Sequence, residues 1–91
     1  MKFYQFQFSD NAERYFVGLS HQLQKRILNK LVFFEKSENP LKFAKRMHGL
    51  EKIYRFRIGD YRIIVKSMDK NTAVVLLVLK IGHRREIYDN L

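Results

Sequence analysis

Two stretches of alternating residues, separated by the dipeptide Gly59-Asp60, constrain the fold of this chain more than any other feature. Aromatic and β-branched residues occupy every second position on both sides of the dipeptide, which is the period of a half-buried strand. Glycine at the first position of a two-residue loop favours a type II′ turn. The segment therefore predicts an antiparallel hairpin whose apolar face carries Tyr54, Phe56, Ile58, Tyr61, Ile63 and Val65.

The same hairpin predicts the positions of three arginines. With this loop, Arg57 pairs with Arg62, and Arg55 lies diagonally from Arg62 on the face opposite the apolar one. Directly opposed residues have Cβ atoms about 5 Å apart, and like charges at such positions destabilise a sheet. An anion bound between the arginines removes that repulsion and adds charge-assisted hydrogen bonds, so the pair indicates an anion site. The alternative is that the side chains spread into solvent or pair with Glu51 and Asp60.

Two helices are predicted between the first strand and the hairpin. The first begins at Ser9 or Asp10, whose side chains both suit an N-cap, and it runs to about Gly18. The second begins after Ser20 and ends two or three residues before Pro40, because proline disfavours helix at the residue that precedes it. One apolar stripe of the second helix is expected to pack on the sheet and consists of Leu23, Ile27, Leu31 and Phe34.

Strands are predicted on either side of these helices. Residues 2–8 alternate, whereas residues 72–82 are apolar on both faces, which is typical of a central strand. Residues 41–51 are basic and irregular. The predicted fold class is therefore α+β: an N-terminal strand, a helical hairpin and a three-stranded antiparallel meander (β-α-α-β-β-β), with the helices packed on one face of a four-stranded sheet. Residues 1–91 are expected to form a single domain.

Composition limits the classes of function. The chain has no cysteine, which excludes disulfides and zinc–thiolate sites and favours a cytoplasmic location. Its N-terminus lacks a signal-peptide pattern, and no apolar run approaches the roughly 20 residues of a membrane helix, so no membrane partner is expected. The net charge is +9, and residues 42–85 hold twelve of the cations but only three acids. This excess favours a nucleic acid or an acidic protein as partner, and no metal or other cofactor is expected.

The C-terminal segment GHRREIYDNL contains the other candidate site residues. His83, Arg84, Arg85 and Tyr88 follow the last predicted strand within six positions. Histidine has an ordinary pKa that suits proton transfer near neutrality, a guanidinium stabilises phosphate charge, and tyrosine stacks on bases. Each residue also has a purely structural interpretation, His83 as a packed side chain and Tyr88 as an apolar lid. The functional hypothesis requires that the segment reach the arginine face.

Two motifs carry a resemblance to a known family. The segments YRFRIGDYRIIV at 54–65 and VLKIGHRREIY at 78–88, above all Gly59–Arg62 and Gly82–Tyr88, resemble the RelE/ParE toxin superfamily and in particular its RelE-type mRNA interferases. The resemblance follows the element order of the whole chain. It implies a toxin of a type II toxin–antitoxin system that cleaves mRNA in the ribosomal A site, is monomeric when alone, and is masked by a cognate acidic antitoxin.

The resemblance also implies roles for single residues. Arg62 and Arg84 match arginines that hold the scissile phosphate, Tyr88 matches a tyrosine that positions the base or sugar, and His83 matches a histidine that transfers protons. The further RNA- or phosphate-binding residues expected are Lys52, Arg55, Arg57 and Arg85. In the best-known RelE-type enzymes lysines stand at the positions of Arg55 and Arg57. Because an arginine is effectively never deprotonated in a protein, these two residues are not expected to act as general bases.

The mechanism implied is metal-independent attack of an RNA 2′-hydroxyl on its own 3′-phosphate. Three alternatives remain open on the sequence. A ParE-type toxin would share the fold and inhibit DNA gyrase without catalysis. A non-catalytic RNA-binding domain would use the same arginines for phosphates. A degenerate toxin would retain only complex formation.

Overall fold

The computed structural model describes residues 3–87, and its elements follow the predicted order with additions before the hairpin that carries the arginines and after the last strand. The first strand pairs parallel with the last and forms one edge of the sheet, and a short additional strand forms the other edge. The elements are β1 (Phe3–Phe8), α1 (Asp10–Val17), α2 (His21–Lys36), a 3-10 turn (Pro40–Phe43), β2 (Ala44–Arg46), β3 (Ile53–Ile58), β4 (Tyr61–Lys70), β5 (Ala73–His83) and α3 (Arg84–Ile87).

The sheet has five strands in the order β1-β5-β4-β3-β2, one more than the four predicted. The additional strand is β2, which pairs antiparallel with the edge of β3 and comes from the segment that we predicted to be irregular. It contains only three residues, too few for an alternating pattern to be visible in the sequence. The α+β class and the position of β5 beside β4 are as predicted.

Serine side chains begin both long helices. The Ser9 hydroxyl accepts a hydrogen bond from the backbone N–H of Ala12 at 3.1 Å, and the Ser20 hydroxyl accepts one from Leu23 at 3.3 Å. These bonds satisfy donors that a helix cannot pair within its first turn. Of the two residues considered for the first cap, the structure uses Ser9.

Helices α1 and α2 cover one face of the sheet, and the arginines lie on the other. On α2, the buried residues Ile27, Leu31 and Phe34 form most of the predicted stripe, and the Phe34 ring lies 4.9 Å from that of Phe56 in β3. The Phe6 ring of β1 contacts Phe56 edge-on at 5.4 Å. Because side chains alternate across a strand, β3 directs its arginines away from this core.

An acidic side chain covers the outer edge of β1. The backbone N–H groups of Phe3 and Ser9 donate across to Thr72 and Val78, toward β5. The intervening N–H of Phe6 points the other way and donates to Glu35 Oε2 of α2 at 2.7 Å. An unpaired edge N–H is thereby satisfied within the chain, which protects the edge from pairing with another strand.

The short helix α3 packs on the face of the sheet that α1 and α2 leave open. Gly82 of β5 pairs with Arg62 of β4, so both lie on this face. A Cβ placed on Gly82 would lie 3.5 Å from the fully buried side chain of Ile87. Glycine at this position therefore lets α3 approach the sheet beside Arg62. Within residues 3–87, no helix is long and apolar enough to cross a membrane.

Candidate functional site

The arginine hairpin has the predicted register. Arg57 pairs with Arg62, Ile58 with Tyr61, and Arg55 with Ile64. Gly59 has φ of 59°, as the first position of a type II′ turn requires. The sequence therefore predicted correctly which arginines stand opposite each other.

The two opposed arginines have different environments, which the sequence did not predict. The Arg62 side chain is only 6% exposed, whereas Arg57 is exposed. Nη1 of Arg62 donates to the carbonyl oxygen of Gly59 at 2.9 Å and to that of Tyr61 at 3.0 Å. Carbonyl dipoles thus neutralise part of the charge of Arg62, and the Arg57 side chain is turned toward solvent.

A concave surface of about 360 Å³ opens along the arginine hairpin, and we call it the basic groove. Five of its seven lining residues are cations and none is acidic. Arg62 contributes to its lining although its side chain is almost completely buried. A groove lined by one sign of charge concentrates counter-ions, so it suits a polyanion such as single-stranded RNA. The lining residues are Lys42, Phe43, Ala44, Lys45, Arg55, Arg57 and Arg62.

Two of the cations that line this groove were not among the predicted site residues. Lys42 belongs to the 3-10 turn and Lys45 to β2. Lys45 is paired with Arg55, and its neighbour Ala44 contacts the core, so the β2 ladder directs Lys45 to the arginine face. The sequence shows two lysines in a basic stretch, but their position becomes evident only once β2 is paired with β3.

The basic groove continues around the end of the hairpin onto α2. A second cavity of about 390 Å³ shares Arg57 with the groove and is also lined by Arg26 and Lys30 of α2. The Arg26 guanidinium packs against the turn, since a Cβ on Gly59 would lie 2.7 Å from its Nη2 atom. The positive surface is therefore continuous from the open face of the sheet to the outer side of α2.

Arg84 is held at the same turn as Arg62. Its backbone N–H donates to the carbonyl oxygen of Asp60 at 2.7 Å, and its Nε lies 3.8 Å from the Asp60 carboxylate. Its side chain remains 50% exposed, so this ion pair leaves the guanidinium accessible to a further anion. The two arginines that the resemblance assigns to the scissile phosphate thus contact adjacent residues of one turn, although 21 positions separate them in the chain.

His83 does not share the arginine face, contrary to what the functional hypothesis required. It pairs with Tyr61 and meets that ring edge-on at 5.6 Å, on the side of the sheet that the helices cover. Its Nδ1 accepts a hydrogen bond from the backbone N–H of Arg85 at 3.2 Å, so the neutral ring carries its proton on Nε2. The physical reason is the parity of β5: with Gly82 beside Arg62, the next residue must point to the other face.

A tyrosine from α1 lies beside His83. Burial raises the pKa of Tyr15, and the nearby Glu86 and Tyr61 raise it further, while a hydrogen bond from the backbone of His83 acts in the opposite direction. These contacts form a polar cluster between α1 and the end of β5 that is separated by the sheet from the basic groove.

The remaining predicted site residues are not brought into the groove. Lys52 precedes β3 at the end remote from the turn, with φ of 61°, and Arg85 is exposed on α3. Neither lines the groove or the adjoining cavity. Tyr88 lies outside the described residues.

Comparisons with known proteins agree with this fold. The family model described as ParE toxin of type II toxin-antitoxin system, parDE, matches residues 6–88. Among curated proteins, toxin RelG of Mycobacterium tuberculosis is 35% identical over 72 residues, which cover 75% of this chain and 80% of RelG.

Solved structures show the same fold. The toxin–antitoxin complex RelBE2 of M. tuberculosis matches with a TM-score of 0.60 and 29% identity, over 90% of this chain and 99% of that one. The intact E. coli RelBE toxin–antitoxin complex matches with a TM-score of 0.66 over 88% of this chain and 95% of that one; its 18% identity supports the fold alone. The chain therefore belongs to the RelE/ParE superfamily, the toxins of type II toxin–antitoxin systems.

Proposed function

We propose that this toxin is a metal-independent endoribonuclease that cleaves mRNA in the ribosomal A site and so inhibits translation. The observation that carries the proposal is the basic groove, together with the attachment of Arg62 and Arg84 to one turn at its end. Several cations that converge without a lining acid suit the backbone of single-stranded RNA. The likeness to RelG and to the RelBE2 complex supports a RelE-type activity.

In the proposed reaction the 2′-hydroxyl oxygen attacks the adjacent phosphorus, and the bond from phosphorus to the 5′ oxygen breaks. The products are a 2′,3′-cyclic phosphate and a 5′-hydroxyl, so no water and no metal are consumed. Negative charge increases on the non-bridging oxygens in the transition state. Arg57 and Arg84 are exposed enough to contact these oxygens, and Arg62 is held in place by its hydrogen bonds to the turn. Such pre-positioned cations stabilise the phosphorane without reorganisation.

In this proposal, proton transfer contributes less to the rate enhancement than the arginines do. The 2′-hydroxyl must lose a proton and the 5′ oxygen must gain one, and His83 is the imidazole closest in sequence to Arg84. Because its Nδ1 is engaged by Arg85 and its ring lies against Tyr61, His83 must first leave these contacts. We therefore assign most of the rate enhancement to the arginines. Tyr88 is assigned to positioning the base, and Lys52, Arg55 and Arg85 to phosphates of the surrounding RNA.

The proposed protein partner is a cognate acidic antitoxin. Solved relatives from M. tuberculosis and E. coli are toxin–antitoxin complexes. An acidic segment of an antitoxin would cover the basic groove and compete with RNA for the same cations. Free of its antitoxin, the toxin is proposed to act as a monomer in the cytoplasm.

The test is a reconstituted translation system with a defined mRNA, in which primer extension maps new 5′ ends. We expect cuts at fixed positions within codons. Arg84→Ala should slow cleavage far more than it weakens RNA binding, and His83→Ala should slow it less than Arg84→Ala does. Arg14→Ala is the matched control, because Arg14 is an exposed arginine of α1 outside both basic cavities.

The match to the ParE toxin family model favours a second candidate, inhibition of DNA gyrase without catalysis. A parallel supercoiling assay separates the two functions. Inhibited gyrase together with uncut mRNA would refute the nuclease proposal. Equal losses of cleavage and binding in Arg84→Ala would reduce Arg84 to a substrate anchor.

A further inference from the structure

Two phenylalanine side chains lie exposed at the edge of the basic groove. Phe43 is 41% exposed and Phe33 is 53% exposed, and their rings are 5.7 Å apart. Phe43 lines the groove, together with the cations Lys42 and Lys45 that flank it in the chain. Scattered exposed apolar residues are ordinary, but an aromatic ring within a groove of five cations is not accounted for by charge alone.

Packing explains only part of the position of Phe43. Its ring stacks on the buried ring of Phe34, with centroids 5.3 Å apart and an interplanar angle of 29°. This contact closes the core beneath the 3-10 turn, and an aliphatic side chain would retain its apolar part. It does not account for the exposure of Phe43, which is 41% exposed and is one of the residues that line the groove.

Cations lie close to the exposed aromatic surface. The Lys42 ammonium is 5.4 Å from the centre of the Phe43 ring, and the Lys30 ammonium is 5.0 Å from that of Phe33. Lys42 is an exposed, flexible side chain that a stacked base can displace toward a phosphate. An aromatic face beside mobile cations is the arrangement by which proteins hold single-stranded nucleic acid without reading its sequence.

We propose that Phe43 stacks an unpaired base of the RNA whose phosphates occupy the basic groove. Lys42 and Lys45 then contact the phosphates on either side of that base. The proposal rests on the proposed function in taking RNA as the ligand. It adds a binding position on the β2 side of the site, beside the end of β3 that leads into the Gly59-Asp60 turn, so the bound strand runs across β3 from the turn toward β2. RNA is favoured over an acidic protein because a base presents a flat π-face to the ring while its own backbone supplies the anions.

The test compares RNA binding by the full chain and its variants. A fluorescently labelled single-stranded RNA of ten nucleotides, and versions of it with one abasic position each, are titrated by anisotropy. We expect Phe43→Ala to weaken binding to the intact RNA about 5- to 150-fold, the range for loss of one base–aromatic stack. For RNA that is abasic at the stacked position, wild type and variant should bind alike, because the base and the ring act as one pair.

Two further variants protect the test against a change in fold. Phe43→Leu keeps an apolar contact with Phe34 and should weaken RNA binding at unchanged melting temperature, whereas Phe43→Trp should retain binding. Phe3→Ala is the matched control, since Phe3 is 72% exposed on β1, the strand at the opposite edge of the sheet. It should leave RNA binding unchanged.

Each contrary outcome has a definite meaning. Equal binding by wild type and Phe43→Leu, or an equal loss for every abasic RNA, would overturn the stacking proposal. The same holds if wild type binds no single-stranded RNA, or if Phe43→Leu weakens only the binding of an acidic peptide. Failure of the nuclease proposal is a separate result: mRNA would remain uncut in the translation assay while the dependence of RNA binding on Phe43 persisted.

Discussion

Replacing Arg57 and Arg62 in turn with methionine should separate a structural arginine from one that is free to bind ligand. The two residues face each other in the hairpin ladder, yet Arg62 is 6% exposed and bonded to two carbonyl oxygens, whereas Arg57 is exposed. Methionine is unbranched and removes both the charge and the donors while it retains apolar volume. The two variants therefore lose the same group at paired positions of the sheet, and they differ in whether that group was buried or exposed.

Two effects of opposite sign determine the stability of Arg62→Met. Loss of a charged hydrogen-bond donor costs about 1.5–3 kcal/mol. Relief of the repulsion from Arg57 returns about 0.2–1 kcal/mol, because Arg57 is solvated. The free energy of unfolding should fall by about 0.5–3 kcal/mol, or about 2–24 °C in Tm for a domain of this length. In Arg57→Met only the repulsion changes, so the free energy should stay within about 0.5 kcal/mol of wild type or rise slightly.

Urea unfolding followed by far-ultraviolet circular dichroism measures both differences, provided that the slope of free energy against urea is unchanged. The translation assay on the same proteins should show that both variants lose mRNA cleavage. Arg62→Met would then lose cleavage partly because the folded protein is less stable. Arg57→Met would lose it only because a contact with the RNA is lost. Equal stability of the two variants, or a lower stability of Arg57→Met, would refute the structural role assigned to Arg62.

Three further predictions concern the framework of the site. Gly59→Ala puts a side chain at φ of 59° against the Arg26 guanidinium, so unfolding free energy should fall by about 1–2 kcal/mol in urea titrations; unchanged stability would contradict this. Burial raises the pKa of Tyr15 above 10.0, so the folded state holds this proton more tightly and loses stability as pH rises above 10.0. Tyr15→Phe should lose less stability over that range. Parallel curves of unfolding free energy against pH for the variant and wild type would contradict the raised pKa. Glu35→Ala leaves the Phe6 N–H without its acceptor; we expect a loss of about 1–3 kcal/mol and faster hydrogen exchange of that amide, whereas unaltered exchange would exclude the bond.

The features that could be predicted from the sequence are those determined by residues close together in the chain. The loop Gly59-Asp60 determines the hairpin register because a two-residue turn permits one pairing, and that pairing placed Arg57 opposite Arg62. Helix starts at Ser9 and Ser20 follow from capping, and the α2 stripe follows from helical periodicity. None of these features depends on contacts between distant parts of the chain.

The parts that were missed depend on contacts between segments far apart in sequence. Strand β2 exists because the edge of β3 is available to it, and Lys45 joins the groove only through that pairing. The face that His83 occupies depends on the β4–β5 register, which contains an irregularity at Ile64/Val65 that no local pattern reveals. The burial of Arg62 likewise depends on the position of its guanidinium against the turn carbonyls, which no sequence pattern reveals.

The turn at the end of the hairpin connects the fold with the proposed chemistry. The carbonyl oxygen of its first residue, Gly59, accepts a hydrogen bond from the Arg62 side chain. The carbonyl oxygen of its second residue, Asp60, accepts one from the backbone N–H of Arg84, and the Asp60 carboxylate lies near the Arg84 side chain. Hydrogen bonds to adjacent residues of one turn thus hold both arginines beside it. A substitution that alters this turn should move both guanidinium groups together. The motif Gly59–Arg62 would then be required for alignment at the phosphate as much as for the hairpin itself.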